Sequence, residues 1–161
     1  MLMIRNVNMN DLPTLIRIEH LCFSKEEAAS EEAFVNRIQK ITDSFFVAEK
    51  NDKVIGFVNG PVIENKYITD NLFRDVNTNK ATGGHQSILG LAVSPNYQKQ
   101  GVASALLTHI EKISKTKQRQ TITLTCKEEL VTFYERNGYQ NEGISNSVHG
   151  GEVWFNMVKI L

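Results

Sequence analysis

The stretch "QKQGVA", Gln98-Lys99-Gln100-Gly101-Val102-Ala103, joins the apolar run "ILGLAV" to the amphipathic run "ASALLTHIEKI". The first turn of a helix carries unpaired backbone N–H groups and the positive end of the helix dipole. Small residues there let an anion, a phosphate above all, reach the backbone. Gly101, Ala103 and Ser104 are small, Lys99 adds a formal charge, and Gln98 and Gln100 add neutral donors. No Gly-Lys-Ser/Thr follows, so this is not a kinase-type P-loop, and one glycine does not make a dinucleotide fingerprint. Taken alone, the hexapeptide reads equally as an ordinary strand-to-helix turn. Further along, "LTCKEELVTFYERNGY" brings Cys126 and Tyr134 close in the chain. Tyr134, four residues after Leu130, reads from its spacing as core. Cys126 has no histidine beside it in sequence and reads as a buried structural thiol rather than a nucleophile. His85, after Gly83-Gly84, is a candidate base or a loop histidine. His20, His109 and His149 read as surface or helix-flank residues. The acids Glu26, Glu27, Glu31 and Glu32 crowd one segment, as a solvated face or as a lure for a cation.

The elements that must position these groups follow from hydrophobic periodicity. Residues 2–7 read as a strand, and "LPTLIRIEHL" as a helix with Leu12, Leu15, Ile16 and Leu21 at helical spacing. Ser30 caps a second helix that buries Ala33, Phe34 and Ile38. "SFFVAEK" and "KVIGFVNGPVI" flank Asn51-Asp52, a hairpin signal. Residues 64–84 are long, polar and weakly periodic, which in a compact chain points to a functional or mobile loop. "SILGLAV" is apolar on both faces, as a mid-sheet strand should be, with Gly90 marking a bulge or a close backbone approach. A helix with Ala103, Leu106, Leu107, Ile110 and Ile113 on one stripe follows, then the strand "TITLTC" and the helix "EELVTFYERNG", stopped by Asn137-Gly138. Strands around 139–144 and 152–159 close the chain. The expected class is α/β (α+β). One mixed, mostly antiparallel sheet of about seven strands carries helices on both faces, in a single domain spanning residues 1–161.

Composition removes several function classes. Lys and Arg number 18 and so do Asp and Glu, so the chain has no global field for nucleic acid or an anionic membrane. The start, "MLMIRN", predicts no signal peptide, and no apolar run approaches the roughly 18 residues of a membrane span. Cys22 and Cys126 lack metal-ligand spacing. Reduced thiols and a cytoplasmic location are expected, with no metal.

The pair "LAVSPNYQKQGVASALL" and "LTCKEELVTFYERNGY", in that order, resembles the GCN5-related N-acetyltransferase (GNAT) family. The layout of "GFVNGPVI", the long polar loop and "GHQSILGLAV" is similar to the arylalkylamine N-acetyltransferase-like branch. The resemblance implies that Leu91, Ala92 and Val93 form the strand that pairs with the pantetheine arm of acetyl-CoA. It implies that Gln98, Lys99, Gln100, Gly101, Val102, Ala103 and Ser104 hold the pyrophosphate. An amide near Gly90 or Leu91 would polarise the acetyl carbonyl, and Tyr134 would protonate the leaving thiolate. Members of that branch carry two histidines on the preceding strand, where this chain has Ser87 and Leu89. Ser87 and His85 are therefore the catalytic candidates for proton uptake. Phe23, Glu26, Glu27, Tyr67 and Phe73 fall in the two segments that would wall the acceptor pocket, though core packing accounts equally for the aromatics. The implied activity is direct transfer of acetyl from acetyl-CoA to a small primary amine, arylalkylamine- or polyamine-like, by a monomer or homodimer. A protein N-terminus or lysine is the alternative acceptor, and a non-catalytic acyl-CoA-binding module the alternative from another class.

Overall fold

In "FFVAEK" the period of two puts Phe45 and Val47 on one face and Phe46 and Ala48 on the other, and all four are buried. A strand covered on both faces needs helices on both sides, and the computed structural model, which describes residues 1–161, has that arrangement. The strands are β1 (Leu2–Asn6), β2 (Phe45–Lys50), β3 (Lys53–Asn59), β4 (Val62–Ile63), β5 (His85–Ile88), β6 (Gly90–Val93), β7 (Thr121–Cys126), β8 (Gln140–Ile144) and β9 (Phe155–Ile160). The helices are α1 (Leu12–Cys22), α2 (Glu31–Lys40), α3 (Val102–Thr116) and α4 (Glu128–Arg136).

One core lies between β2 and β3 and the α1–α2 pair. Its centre is Phe34, Phe45 and Phe57, with ring centroids 5.6 to 6.4 Å apart. Burying each such ring contributes about 1.5–3 kcal/mol. The other core packs α3 and α4 on the opposite faces through Phe46, Leu106, Ile110, Ile122 and Met157. The Ser30 hydroxyl caps α2 by accepting the Ala33 N–H at 3.0 Å, and Ala33, Phe34 and Ile38 are buried as the periodicity predicts. Leu21 is a correction: it is 58% exposed, because α1 turns its 15–18–19 face to the core instead.

The expected single sheet is divided in two, ordered β1-β2-β3-β6 and β4-β5-β7-β9-β8. The break falls inside "SILGLAV". Up to Ile88 the chain pairs parallel with β7, ending at Ile88 opposite Leu124. From Gly90 it pairs antiparallel with β3 instead. Leu89 is the hinge. Its N–H donates to the Asn59 carbonyl at 2.8 Å while Gly90 is the Cα partner of Asn59, so two residues oppose one, as in a bulge. A Cβ at position 90 would stand 3.3 Å from the Phe57 ring, which favours glycine at the bend. Beyond Ile88 the two sheets diverge, and a wedge opens between β6 and the last residues of β7.

Candidate active site

β6 is the outer strand of its sheet, so half of its backbone groups point away from β3 into the wedge. In an antiparallel ladder alternate residues aim these groups to opposite sides. Ser94 N–H donates back to Ile55 at 2.7 Å, whereas the Val93 carbonyl accepts from Gln98 Nε2 at 2.9 Å and from Cys22 Sγ at 3.2 Å. Leu91 and Val93 therefore face the open edge, and the Leu91 amide and carbonyl find no strand beside them. Ala92, between them, turns its backbone to Phe57 and its side chain into the first core.

After Val93 a 3-10 turn at Pro95–Tyr97 leads to the helix start. Lys99 and Gly101 both adopt positive φ, 62° and 82°. Gly101 is the N-cap of the fifteen-residue α3, no side chain caps it, and nothing lies within 4 Å of where its Cβ would be. The first-turn amides thus face an open groove lined by Leu91, Ala92, Val93, Gln98, Lys99, Gly101, Val102, Ala103 and Ser104. Gln100 lies outside the lining, its amide 3.5 Å from the Asn96 carbonyl. Lys99 adds positive charge to the positive end of the helix, so the groove suits an anion.

The groove runs into a cavity of about 90 Å³ between the diverging strands, and Phe23, Leu91, Leu130 and Tyr134 line both. The family model described as an acetyltransferase (GNAT) domain matches residues 42–141, from before β2 into β8. The chain belongs to this family. No curated protein matches the GNAT chain in sequence. Among solved structures it is similar to the loading GNATL domain of CurA from Lyngbya majuscula, at 18% identity and TM-score 0.80 over 99% of this chain and 98% of that one. The ribosomal-protein-S18-alanine N-acetyltransferase of Escherichia coli is 21% identical, with TM-score 0.73 over 99% and 94% of the two chains. PaiA N-acetyltransferase from Thermoplasma acidophilum, solved in complex with coenzyme A, is 22% identical, with TM-score 0.73 over 100% and 99%. At such identities the likeness carries the fold.

Tyr134 of this GNAT chain is buried at 6% exposure where the groove meets the cavity, wedged edge-on against Phe133 and Tyr139. Its hydroxyl makes no hydrogen bond within the protein; burial, then the nearby Cys126 thiol, pushes its pKa well above the ordinary phenol value. The group is a neutral O–H at every physiological pH, a donor in want of an acceptor. Cys126 lines the same cavity, and burial pushes its thiol up to about 12, so it is no thiolate nucleophile near neutrality.

The other sequence candidates divide. Phe23, Glu27 and Phe73 line the cavity, and Phe73 stacks on His149 with centroids 4.6 Å apart. Glu27 pairs with Lys127 at 2.6 Å, so its charge is already matched. Glu26 lines neither groove nor cavity, and Tyr67 turns its hydroxyl to Glu142 at 2.5 Å beside a separate recess. His85 and Ser87 are buried in β5, upstream of the hinge, where both neighbouring strands are in place. His85 Nδ1 meets the Thr121 hydroxyl at 2.8 Å, and the Ser87 hydroxyl donates to the Pro61 carbonyl at 2.6 Å. Burial, then the Lys66 charge, holds the His85 pKa below the ordinary imidazole value. Neither side chain lines the cavity.

Sequence reasoning missed Glu19, Arg37, His149 and Trp154, which line the cavity together. Arg37 is 2% exposed, its guanidinium donating to Asn59 Oδ1 and the Phe73 carbonyl, both at 3.3 Å. Burial lowers its pKa to about 10, which leaves it charged at neutral pH. His149 Nε2 lies 3.1 Å from the Glu27 carbonyl, and the Trp154 indole donates to the His149 carbonyl at 2.8 Å. The available signal was a charged residue on the apolar face of an amphipathic helix: Arg37 beside Ala33, Phe34 and Ile38, and Glu19 beside Leu15 and Ile18.

Proposed function

We propose that the protein is an acetyl-CoA-dependent N-acetyltransferase that moves acetyl directly to a small primary amine of arylalkylamine or polyamine type. The observation that carries this reading is continuity. One groove leads from the uncapped start of α3, along the open edge of β6, to the unpartnered Tyr134 hydroxyl. Its parts fit acetyl-CoA in order. The amides of Val102, Ala103 and Ser104, with Lys99, would hold the pyrophosphate, and the free edge at Leu91 would pair with the pantetheine amides as a strand would. The thioester would then reach the hinge, where an amide of the Leu89–Leu91 bend can donate to the acetyl oxygen as negative charge develops there.

An alkylammonium titrates near ~10 and must lose a proton before its nitrogen can form the new C–N bond. As the C–S bond breaks, sulfur needs a donor, and Tyr134 would supply the O–H. Its raised pKa makes outright loss of the proton costly. The phenol would therefore give its proton to sulfur while taking the surplus proton of the new amide nitrogen, and end neutral. Holding both substrates side by side supplies much of the acceleration, with an upper bound of about 7–11 kcal/mol for ideal positioning.

Closure of the acceptor side favours a small amine over a protein segment. The Glu27–Lys127 pair, the Phe73–His149 stack and the Ser147–Asp70 hydrogen bond tie the connections around the cavity to one another. A wider recess lined by Ser30, Glu32, Asp70 and Arg74 lies outside them. The test is a thiol-release assay with acetyl-CoA against 2-phenylethylamine, spermidine and a tetrapeptide with a free N-terminal alanine. Release with either amine and none with the peptide is expected. Release with the peptide alone would replace the acceptor, and acetyl-CoA binding without release would leave a binding module.

A further inference from the structure

Glu19 is 6% exposed and sits on the inner face of α1. Its Oε2 accepts the Ala29 N–H at 2.7 Å, which anchors the connection between α1 and α2. Its Oε1 is wholly buried and has no hydrogen-bond partner, although the residue lines the cavity shared with Leu89, Gly90, Leu91 and Tyr134. A carboxylate oxygen kept out of water without a partner is costly, and one that lines a cavity calls for an explanation. Arg37 balances the charge from a distance, but its donors go to Asn59 and Phe73 and none reaches Glu19. Anchoring the Ala29 amide needs one oxygen and explains one. The other has no donor, in a residue that lines the cavity where the amine nitrogen would sit.

We propose that Glu19 is the catalytic base: Oε1 takes the hydrogen bond of the bound ammonium and then its proton. This rests on the acetyltransferase reading above. One proton passes from nitrogen to Oε1, the freed lone pair forms the C–N bond as the C–S bond breaks, and the carboxyl later returns its proton to solvent. Burial raises the Glu19 carboxyl above its usual range, against the Ala29 amide and the charges of Arg37, His20 and His149, which favour the ionised form. A raised carboxyl is a stronger base, closer in pKa to the amine it must deprotonate. Cys22, on the same helix, has its own thiol pKa raised by burial and then by the Glu19 charge.

Glu19→Gln keeps an oxygen for the Ala29 amide and removes the base. With the amine that the parent protein turns over, kcat/KM should fall by about 10²-fold or more. The acetyl-CoA Kd should stay within twofold. The low-pH limb of kcat/KM should move toward the titration of the free amine near ~10. Parental kcat/KM with an unmoved limb overturns the proposal. Carbon-detected NMR of the parent labelled at glutamate Cδ decides independently, with the Glu19 signal assigned by its absence in Glu19→Asp. That signal should titrate above those of the exposed glutamates and shift when 2-phenylethylammonium is added. A signal titrating among the exposed set and indifferent to the ammonium overturns the proposal even if Glu19→Gln fails to fold. A parent protein that binds no acetyl-CoA would sink the acetyltransferase reading instead, and the NMR outcome would still stand.

Discussion

Gly101→Val separates a binding site from a merely glycine-rich turn. Gly101 holds φ at 82°, and a side chain placed there meets nothing within 4 Å, so valine would not collide with the fold. Its cost to stability is conformational. A non-glycine residue in the left-handed region is disfavoured by roughly 1–2 kcal/mol, with β-branched residues at the upper end. For a chain of this size about 2 kcal/mol lowers Tm by roughly 4–8 °C. The cost to binding is separate: two methyl groups would stand in the groove in front of the first-turn amides of α3, where the pyrophosphate must approach. Loss of that approach should weaken acetyl-CoA by tenfold or more, on the order of 1.4 kcal/mol.

Gly143 supplies a matched control. It has φ 101° and equally open surroundings, but it lies on β8 and lines neither the groove nor the cavity. Gly143→Val should therefore reproduce the fall in Tm and leave acetyl-CoA affinity unchanged. Calorimetric titration of both variants, with thermal unfolding followed by circular dichroism, reads the two quantities independently. Equal affinities in folded Gly101→Val and Gly143→Val would refute the assignment of the α3 start as the pyrophosphate site.

Tyr134→Phe keeps the packing against Phe133 and Tyr139 and should lower kcat about 10²-fold with little change in acetyl-CoA Kd; parental kcat with chemistry rate-limiting would make the tyrosine simple core. Cys126→Ala should retain kcat within about threefold, since a thiol titrating near 12 contributes little thiolate near neutrality, and a hundredfold loss would point to a covalent acyl-enzyme. Burial alone would raise the Asp11 carboxyl, but Arg5 at 2.8 and 2.9 Å and the Asn8 amide at 2.9 Å outweigh it and hold the pKa below the usual value. That stabilisation is complete above about pH 3.9 and is lost as pH falls through the depressed value. Because Arg5 is partly exposed, Asp11→Asn should cost on the order of 1–2 kcal/mol in urea unfolding at pH 7, and progressively less as pH falls through that depressed value.

How much of the site could be read in advance follows from the range over which its parts are held. The turn from Gln98 to Ser104 is local: a glycine before an amphipathic stripe specifies an uncapped helix start wherever it folds. The same locality made the Ser30 cap and the Asn51-Asp52 hairpin legible, the latter with φ of 54° and 62° at its two residues. His85 and Ser87 were attractive for the opposite reason, nearness in sequence to the central strand. Their fate turns on Leu89, where the chain leaves β7 for β3. Upstream of that hinge a backbone is walled on both sides, and its polar side chains are taken up by the neighbouring segments, His85 by the Thr121 hydroxyl and Ser87 by the Pro61 carbonyl. Downstream there is an open edge. An uninterrupted apolar run cannot say which side of the hinge is open, because both halves bury their side chains alike. The acceptor wall was further out of reach. His149 meets the Glu27 carbonyl across 122 residues of chain, and Glu19 comes to line the same cavity as the hinge because α1 packs over β3 and β6. A buried acid is nevertheless visible as an anomaly. Glu19 is a charged residue on the face of α1 that also carries Leu15 and Ile18, and such a residue needs either a partner or a task. Its Oε2 has the partner, and its Oε1 is what makes the cavity more than a gap between two sheets.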